Sequence, residues 1–124
     1  MADTKSDYGL DTLLELNGVI MVIDPANQHW VKFVVHRVPY TEERPHGLSY
    51  SLTLHDGKGE RLLGFDNAHA VSEKRGIARV RTPRHDHIHR MRMIKPYEYN
   101  DAAKLLADFW DEVDQVMKER GITT

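Results

Sequence analysis

The last quarter of the chain carries the strongest pattern. Ala102, Leu105, Leu106, Phe109, Trp110, Val113, Val116 and Met117 recur at three- and four-residue steps, which predicts an amphipathic helix with one apolar stripe. Asn100 or Asp101 suits its start, and Lys118, Arg120 and Gly121 suit its end. Phe109 and Trp110 are expected as core anchors. Elsewhere the period falls to two. Tyr50, Leu52 and Leu54 alternate with Ser51, Thr53 and His55. Asp56-Gly57-Lys58-Gly59 then leads into Arg61 to Asn67, so a β-hairpin is expected there.

Trp30 to Val38 is a further strand by its β-branched and aromatic content, with Val31, Phe33 and Val35 on one face and Lys32, Val34 and His36 on the other. Asp24 to Asn27 is a turn, and Pro39 to Gly47 and Ala68 to Gly76 are loops. Short strands are expected at Ile77 to Arg81, His85 to Met93 and Tyr97 to Tyr99. Leu10 to Ile23 reads two ways, as a hairpin turning at Asn17-Gly18 or as one long kinked strand. The fold class is therefore α+β. It is an antiparallel β-sheet of about five or six strands, with one long C-terminal amphipathic α-helix packed on one face and the other face open for binding. Residues 1–124 form a single domain, of which 1–9 are a flexible N-terminal tail.

Composition narrows the classes of function. The chain is 40% hydrophobic and 29% charged, which argues against wholesale disorder, and it has no cysteine. Disulfides, thiol nucleophiles and cysteine zinc sites are thereby excluded. The longest aliphatic run, Val19 to Ile23, falls far short of the ~20 residues a membrane-spanning helix needs. The polar start of the chain lacks the features of a signal peptide, so a cytoplasmic protein is expected.

Net charge is −2, but the charge is unevenly placed. Lys74 to Lys95 holds eight bases against one acid, Asp86, and Glu98 to Glu119 holds seven acids against two lysines. A basic segment in a mildly acidic chain suggests a local anion site, with phosphate the obvious anion. A plainer account is that the acidic helix face neutralises that segment across the fold.

Eight histidines in 124 residues are a surplus. The densest run is His85-Asp86-His87-Ile88-His89-Arg90, where strand geometry puts His85, His87 and His89 on one face and Asp86, Ile88 and Arg90 on the other. Asp66-Asn67-Ala68-His69 and Glu43-Arg44-Pro45-His46-Gly47 are two further polar clusters. His29, His36 and His55 read as fold residues, and Tyr97 and Tyr99 as core residues. One chemistry open to this set is metal-free cleavage of RNA. Histidine titrates near ~6.5 and serves as base or acid, while arginine meets the phosphate. His87 and His89 would transfer protons, with His46 or His69 as alternate partner. Asp66 or Asp86 would orient an imidazole, and Arg44, Arg84 or Arg90 would engage phosphate. The other chemistry is a metal site on His87 and His89, with His69 or Asp66 as third ligand. The nearby arginines weigh against a cation, so no metal or cofactor is expected.

The blocks Arg44-Pro45-His46-Gly47-Leu48-Ser49-Tyr50-Ser51-Leu52, Leu63-Gly64-Phe65-Asp66-Asn67-Ala68-His69, Asp86-His87-Ile88-His89-Arg90, Pro96-Tyr97-Glu98-Tyr99 and Leu105-Leu106-Ala107-Asp108-Phe109-Trp110 resemble, in this order, the TumE family of toxins from bacterial and archaeal toxin–antitoxin pairs. The resemblance runs from about Trp30 to Val116. It implies a cytoplasmic toxin encoded beside a cognate antitoxin, often a helix-turn-helix DNA-binding protein, and by analogy a ribonuclease acting on RNA. The family's polar signature falls on His46, Tyr50, Asp66, Asn67, Asp86, His87 and His89, with Tyr50 and Asn67 taken toward nucleic acid. His69 matches part of the family. The sequence leaves open a homodimer, and in place of a metal-free ribonuclease a metal-dependent hydrolase or a non-catalytic module that binds nucleic acid or the antitoxin through the open sheet face.

Overall fold

A computed structural model of the protein describes residues 7–41, 46–67, 86–90 and 93–122. In chain order the elements are α1 (Leu10–Glu15), β1 (Ile20–Asp24), β2 (His29–Arg37), β3 (Leu48–His55), β4 (Arg61–Asp66), β5 (His87–Arg90), β6 (Met93–Pro96) and α2 (Ala102–Glu119). The strands form one six-stranded sheet in sequence order, and each neighbouring pair is antiparallel. This is the expected α+β architecture.

Directly paired residues of an antiparallel sheet share a face. The register therefore stacks Phe33, Leu52, Phe65 and Ile88 in one row across β2 to β5. All four are buried in one core with Leu13 of α1 and with Leu105, Phe109, Val113 and Met117 of α2. The ring of Phe109 meets Phe33 and Phe65 edge-on at 5.8 and 5.7 Å, a favoured aromatic geometry. Trp110 lies at the border of this core, partly buried against Phe33. The Asp101 side chain caps α2 by accepting from the Lys104 N–H at 2.8 Å. Gly121, at φ 79°, ends the helix, with Ile122 N–H bonded back to the Met117 carbonyl at 2.9 Å.

Three expectations need correction. Leu10 to Glu15 is helical, since Leu10, Leu13 and Leu14 fall at helical spacing and Leu13 is driven into the core. Asn17-Gly18 is consequently no hairpin turn. Gly18, at φ 86°, redirects the chain after α1 and donates to the Phe33 carbonyl at 2.7 Å, while Asn17 Oδ1 accepts from Val35 N–H at 2.9 Å. The last strand is Met93–Pro96, not Tyr97 to Tyr99. Tyr97 N–H adds one more bond, to the Asp86 carbonyl at 2.9 Å, before the chain leaves for α2. Of residues 1–9, the described part makes contacts at the start of α2: Asp7 Oδ1 accepts from Ala102 N–H at 2.6 Å, the Tyr99 hydroxyl donates to its other oxygen, and the Tyr8 carbonyl accepts from Ala103 N–H. The expected strand at Ile77 to Arg81, and His85, lie outside the described residues.

Phe109→Ala is expected to lower unfolding free energy by about 3–5 kcal/mol, because it empties a space walled by two phenyl rings. Urea denaturation followed by tryptophan fluorescence measures this.

Candidate functional site

On the face away from the helices, two rows cross the sheet. One runs Val34, Ser51, Asp66, His87, Pro96, and the next runs Lys32, Thr53, Gly64, His89, Ile94. The first row sets Asp66 directly opposite His87. Their contact is 2.8 Å, from His87 Nε2 to Asp66 Oδ1. His89, two residues on and so on the same face, brings its Nε2 to 3.4 Å from Asp66 Oδ2. The two imidazoles meet edge-on with centroids 4.6 Å apart. One carboxylate thus serves two rings through the same ring nitrogen of each.

Exposure separates the two rings. The His87 side chain is sealed at 2% exposure and that of His89 keeps 19%. The expected open face is therefore open only in part: Ile20, Val22, Lys32 and His36 are exposed, while Thr53, Asp66 and His87 are buried. Burial holds the His89 pKa below the usual histidine value; the Asp66 charge opposes this, and His87 and Arg61 add to it.

A guanidinium lies beside these rings, but it belongs to Arg61. Its side chain crosses Gly64, where an added Cβ would come within 3.4 Å of Arg61 Nη1. Gly64 is the residue directly opposite His89. Sequence reasoning passed over Arg61. The available signal was a glycine inside a strand, which often marks the close approach of another group.

Three of the residues expected at one site stand on the other side of the sheet. Asp86 precedes β5 and points away from His87. It is buried, and its Oδ2 accepts from the Tyr50 hydroxyl at 2.6 Å and from His46 Nε2 at 3.0 Å. His46 Nδ1 accepts from Leu48 N–H at 3.2 Å, which leaves Nε2–H to face the carboxylate. The Tyr99 ring covers His46 at 4.4 Å. Burial and the neighbouring carboxylates push the Tyr50 and Tyr99 hydroxyls well above the usual phenol range, so both remain donors. His46, Asp86 and Tyr50 fasten the loop before β3 to the start of β5. They do not reach His87 and His89.

Asn67 also has a structural place. Fully buried, it accepts from Tyr50 N–H at 3.0 Å and donates to the Leu48 carbonyl at 2.6 Å, prolonging the β3–β4 pairing with its side chain. Arg90 faces α2, with Nη2 2.6 Å from Glu119 and Nη1 3.8 Å from Glu112. For Arg90 this is the neutralisation by the acidic helix that the charge pattern allowed; of the other bases of that segment, only Lys95 is among the described residues. His29 lies between Asp24 and Arg120, at 3.0 and 3.2 Å, and His55 stacks on Trp30 at 4.1 Å. The Tyr97 ring meets Phe65 edge-on at 5.2 Å. His69, Arg44 and Arg84 lie outside the described residues.

A family model described as Toxin TumE matches residues 14–117. The chain belongs to the TumE toxin family. The match takes in every strand described above and nearly all of α2, so both polar clusters of this TumE chain fall inside it. No curated protein and no solved structure matches the chain. Among the described residues, no helix is long and apolar enough to cross a membrane.

Two outcomes are expected. Asn67→Ala loses about 1–3 kcal/mol for each backbone group of Leu48 or Tyr50 left unpaired, read by chemical denaturation. The His89 imidazole titrates below the ~6.5 of an unfolded histidine in a ¹⁵N NMR pH series. The unfolded chain then binds more protons between those two values. Through this group, stability falls as pH drops below ~6.5 and levels off beneath the folded value.

Proposed function

We propose that this TumE toxin cleaves RNA without a metal, with His89 taking the proton from the attacking 2′-hydroxyl and Arg61 holding the phosphate. The observation that supports this is one partly exposed imidazole, oriented by a buried carboxylate and set beside a guanidinium on the same sheet face. With Nε2–H directed at Asp66, Nδ1 is the nitrogen left to accept a proton. Burial favours the neutral ring, the form a base must have at neutral pH.

The 2′-oxygen attacks phosphorus and a 2′,3′-cyclic phosphate forms. The 5′-oxygen leaves and takes its proton from solvent. Arg61 meets the charge that develops on the phosphoryl oxygens. His87 is too enclosed to reach substrate, so in this reading it is a positioning residue that packs against His89 and shares Asp66. Arg61 takes the phosphate role that Arg90 cannot fill while bound to α2. Phosphate attraction alone gives salt-sensitive affinity for RNA without base preference.

Membership of a toxin family implies an antitoxin, which would cover this face. On the resemblance it is a helix-turn-helix protein acting with the toxin in the cytoplasm.

The test is cleavage of a synthetic RNA in chelator, beside the same sequence as DNA. RNA is cut to cyclic-phosphate ends and DNA is untouched. His89→Ala lowers the rate by about 10²–10⁴-fold and Arg61→Ala by about 10²-fold or more, while Arg90→Ala leaves the rate constant near that of the parent. A parent that does not cut RNA, or a His89→Ala variant that cuts equally well, removes the enzyme reading and leaves a binding protein.

A further inference from the structure

We propose that Asp66, His87 and His89 form a site for a divalent transition-metal ion of the zinc class, and that loading it switches off the metal-free reaction. The site stands on geometry alone; only its effect on cleavage rests on the reading above.

The ligand atoms of these three residues all lie within 4.8 Å of one another. The two contacts to the carboxylate are 2.8 and 3.4 Å. Donors about 2.0–2.2 Å from a tetrahedral zinc sit about 3.3–3.6 Å apart, so around a central ion the 2.8 Å contact opens and the wider separations close. Two imidazole nitrogens and one carboxylate oxygen suit zinc and its neighbours better than calcium or magnesium, which prefer all-oxygen sites. Three protein ligands leave the fourth position vacant for water or an anion. Arg61, next to His89 across Gly64, disfavours a bare dication but favours an anion at that position. The pairs Asp24–His29 and Asp86–His46 lack a second imidazole, and among the described residues no other three such ligands converge.

The consequence for cleavage follows from the imidazole itself. A neutral ring carries one N–H. In the metal-free protein, Nε2–H faces Asp66 and Nδ1 is free to accept a proton. A metal on Nε2 moves the ring proton to Nδ1. The lone pair needed to take the 2′-hydroxyl proton is then gone, so the loaded and the proton-accepting states exclude each other at His89.

The experiment uses the full chain, stripped with chelator and dialysed, then titrated with Zn²⁺ in a calorimeter and with Co²⁺ by visible absorption. One equivalent binds per chain. His89→Ala and the milder His89→Gln and Asp66→Asn each weaken binding by at least about tenfold, with circular dichroism showing that they remain folded. His36→Ala, an exposed histidine on the same face, binds as the parent does. Long-range ¹⁵N NMR of the loaded protein shows His89 as the Nδ1–H tautomer. One equivalent of Zn²⁺ lowers RNA cleavage by at least about tenfold, and chelator restores it.

No saturable binding below about 1 mM Zn²⁺, or unchanged stoichiometry and affinity in His89→Ala, overturns the site. An unshifted tautomer, or cleavage equal or faster in the loaded protein, overturns the exclusion. Binding and tautomer are both measured without RNA, so both results hold even if the ribonuclease reading fails.

Discussion

The pairing of β4 with β5 is the constraint on which the site depends. It sets Phe65 against Ile88 under the helices, and by the same register sets Asp66 against His87 and Gly64 against His89 on the far side. Strand side chains alternate, so a slip of one residue would carry the imidazoles into the core and the apolar residues out of it. Phe65 is fully buried, touching the rings of Phe109 and Tyr97. The hydrophobic effect acting on one face thereby fixes the polar geometry of the other. The carboxylate that serves two rings is held in place by packing it does not touch.

Much of this is legible in the amino-acid sequence, and for a physical reason in each case. Helix α2 announces itself because its stripe of Leu105, Phe109, Val113 and Val116 repeats over many turns. The His-x-His spacing alone places His87 and His89 on one face, since the strand period is two. The same parity turns Asp86 and Arg90 away from them, and Asp86 goes instead to His46 and Tyr50. What parity cannot supply is the identity of the residue across a strand boundary. The position of Arg61 beside His89 depends on a register shift near Leu54 and His55 and on the missing side chain of Gly64. Helix α1 is hidden for a different reason: its six residues are too few for a 3.6-residue period to show, and the neighbouring Asn17-Gly18 imitates a hairpin.

The arginines and histidines divide into two kinds of work. Arg90 is balanced by carboxylates of α2, and His29 and His46 are each engaged at both ring nitrogens. These tie elements together. His89 and Arg61 stand on a face that the helices do not cover. A count of basic residues would weigh both groups alike; their partners tell them apart.

The cap on α2 reaches back across most of the chain. Asp7 accepts the Ala102 amide from 95 positions away, and the Tyr8 carbonyl takes the next one. On the ribosome, Asp7 and Tyr8 emerge long before the helix they seat and must wait for it. The sheet can assemble strand by strand as it appears, each one beside its predecessor. Closure of the ends comes only once the C-terminal segment has left the exit tunnel. Between the emergence of β6 and that of α2, every strand of the meander is thus available while the helix that closes the core is not.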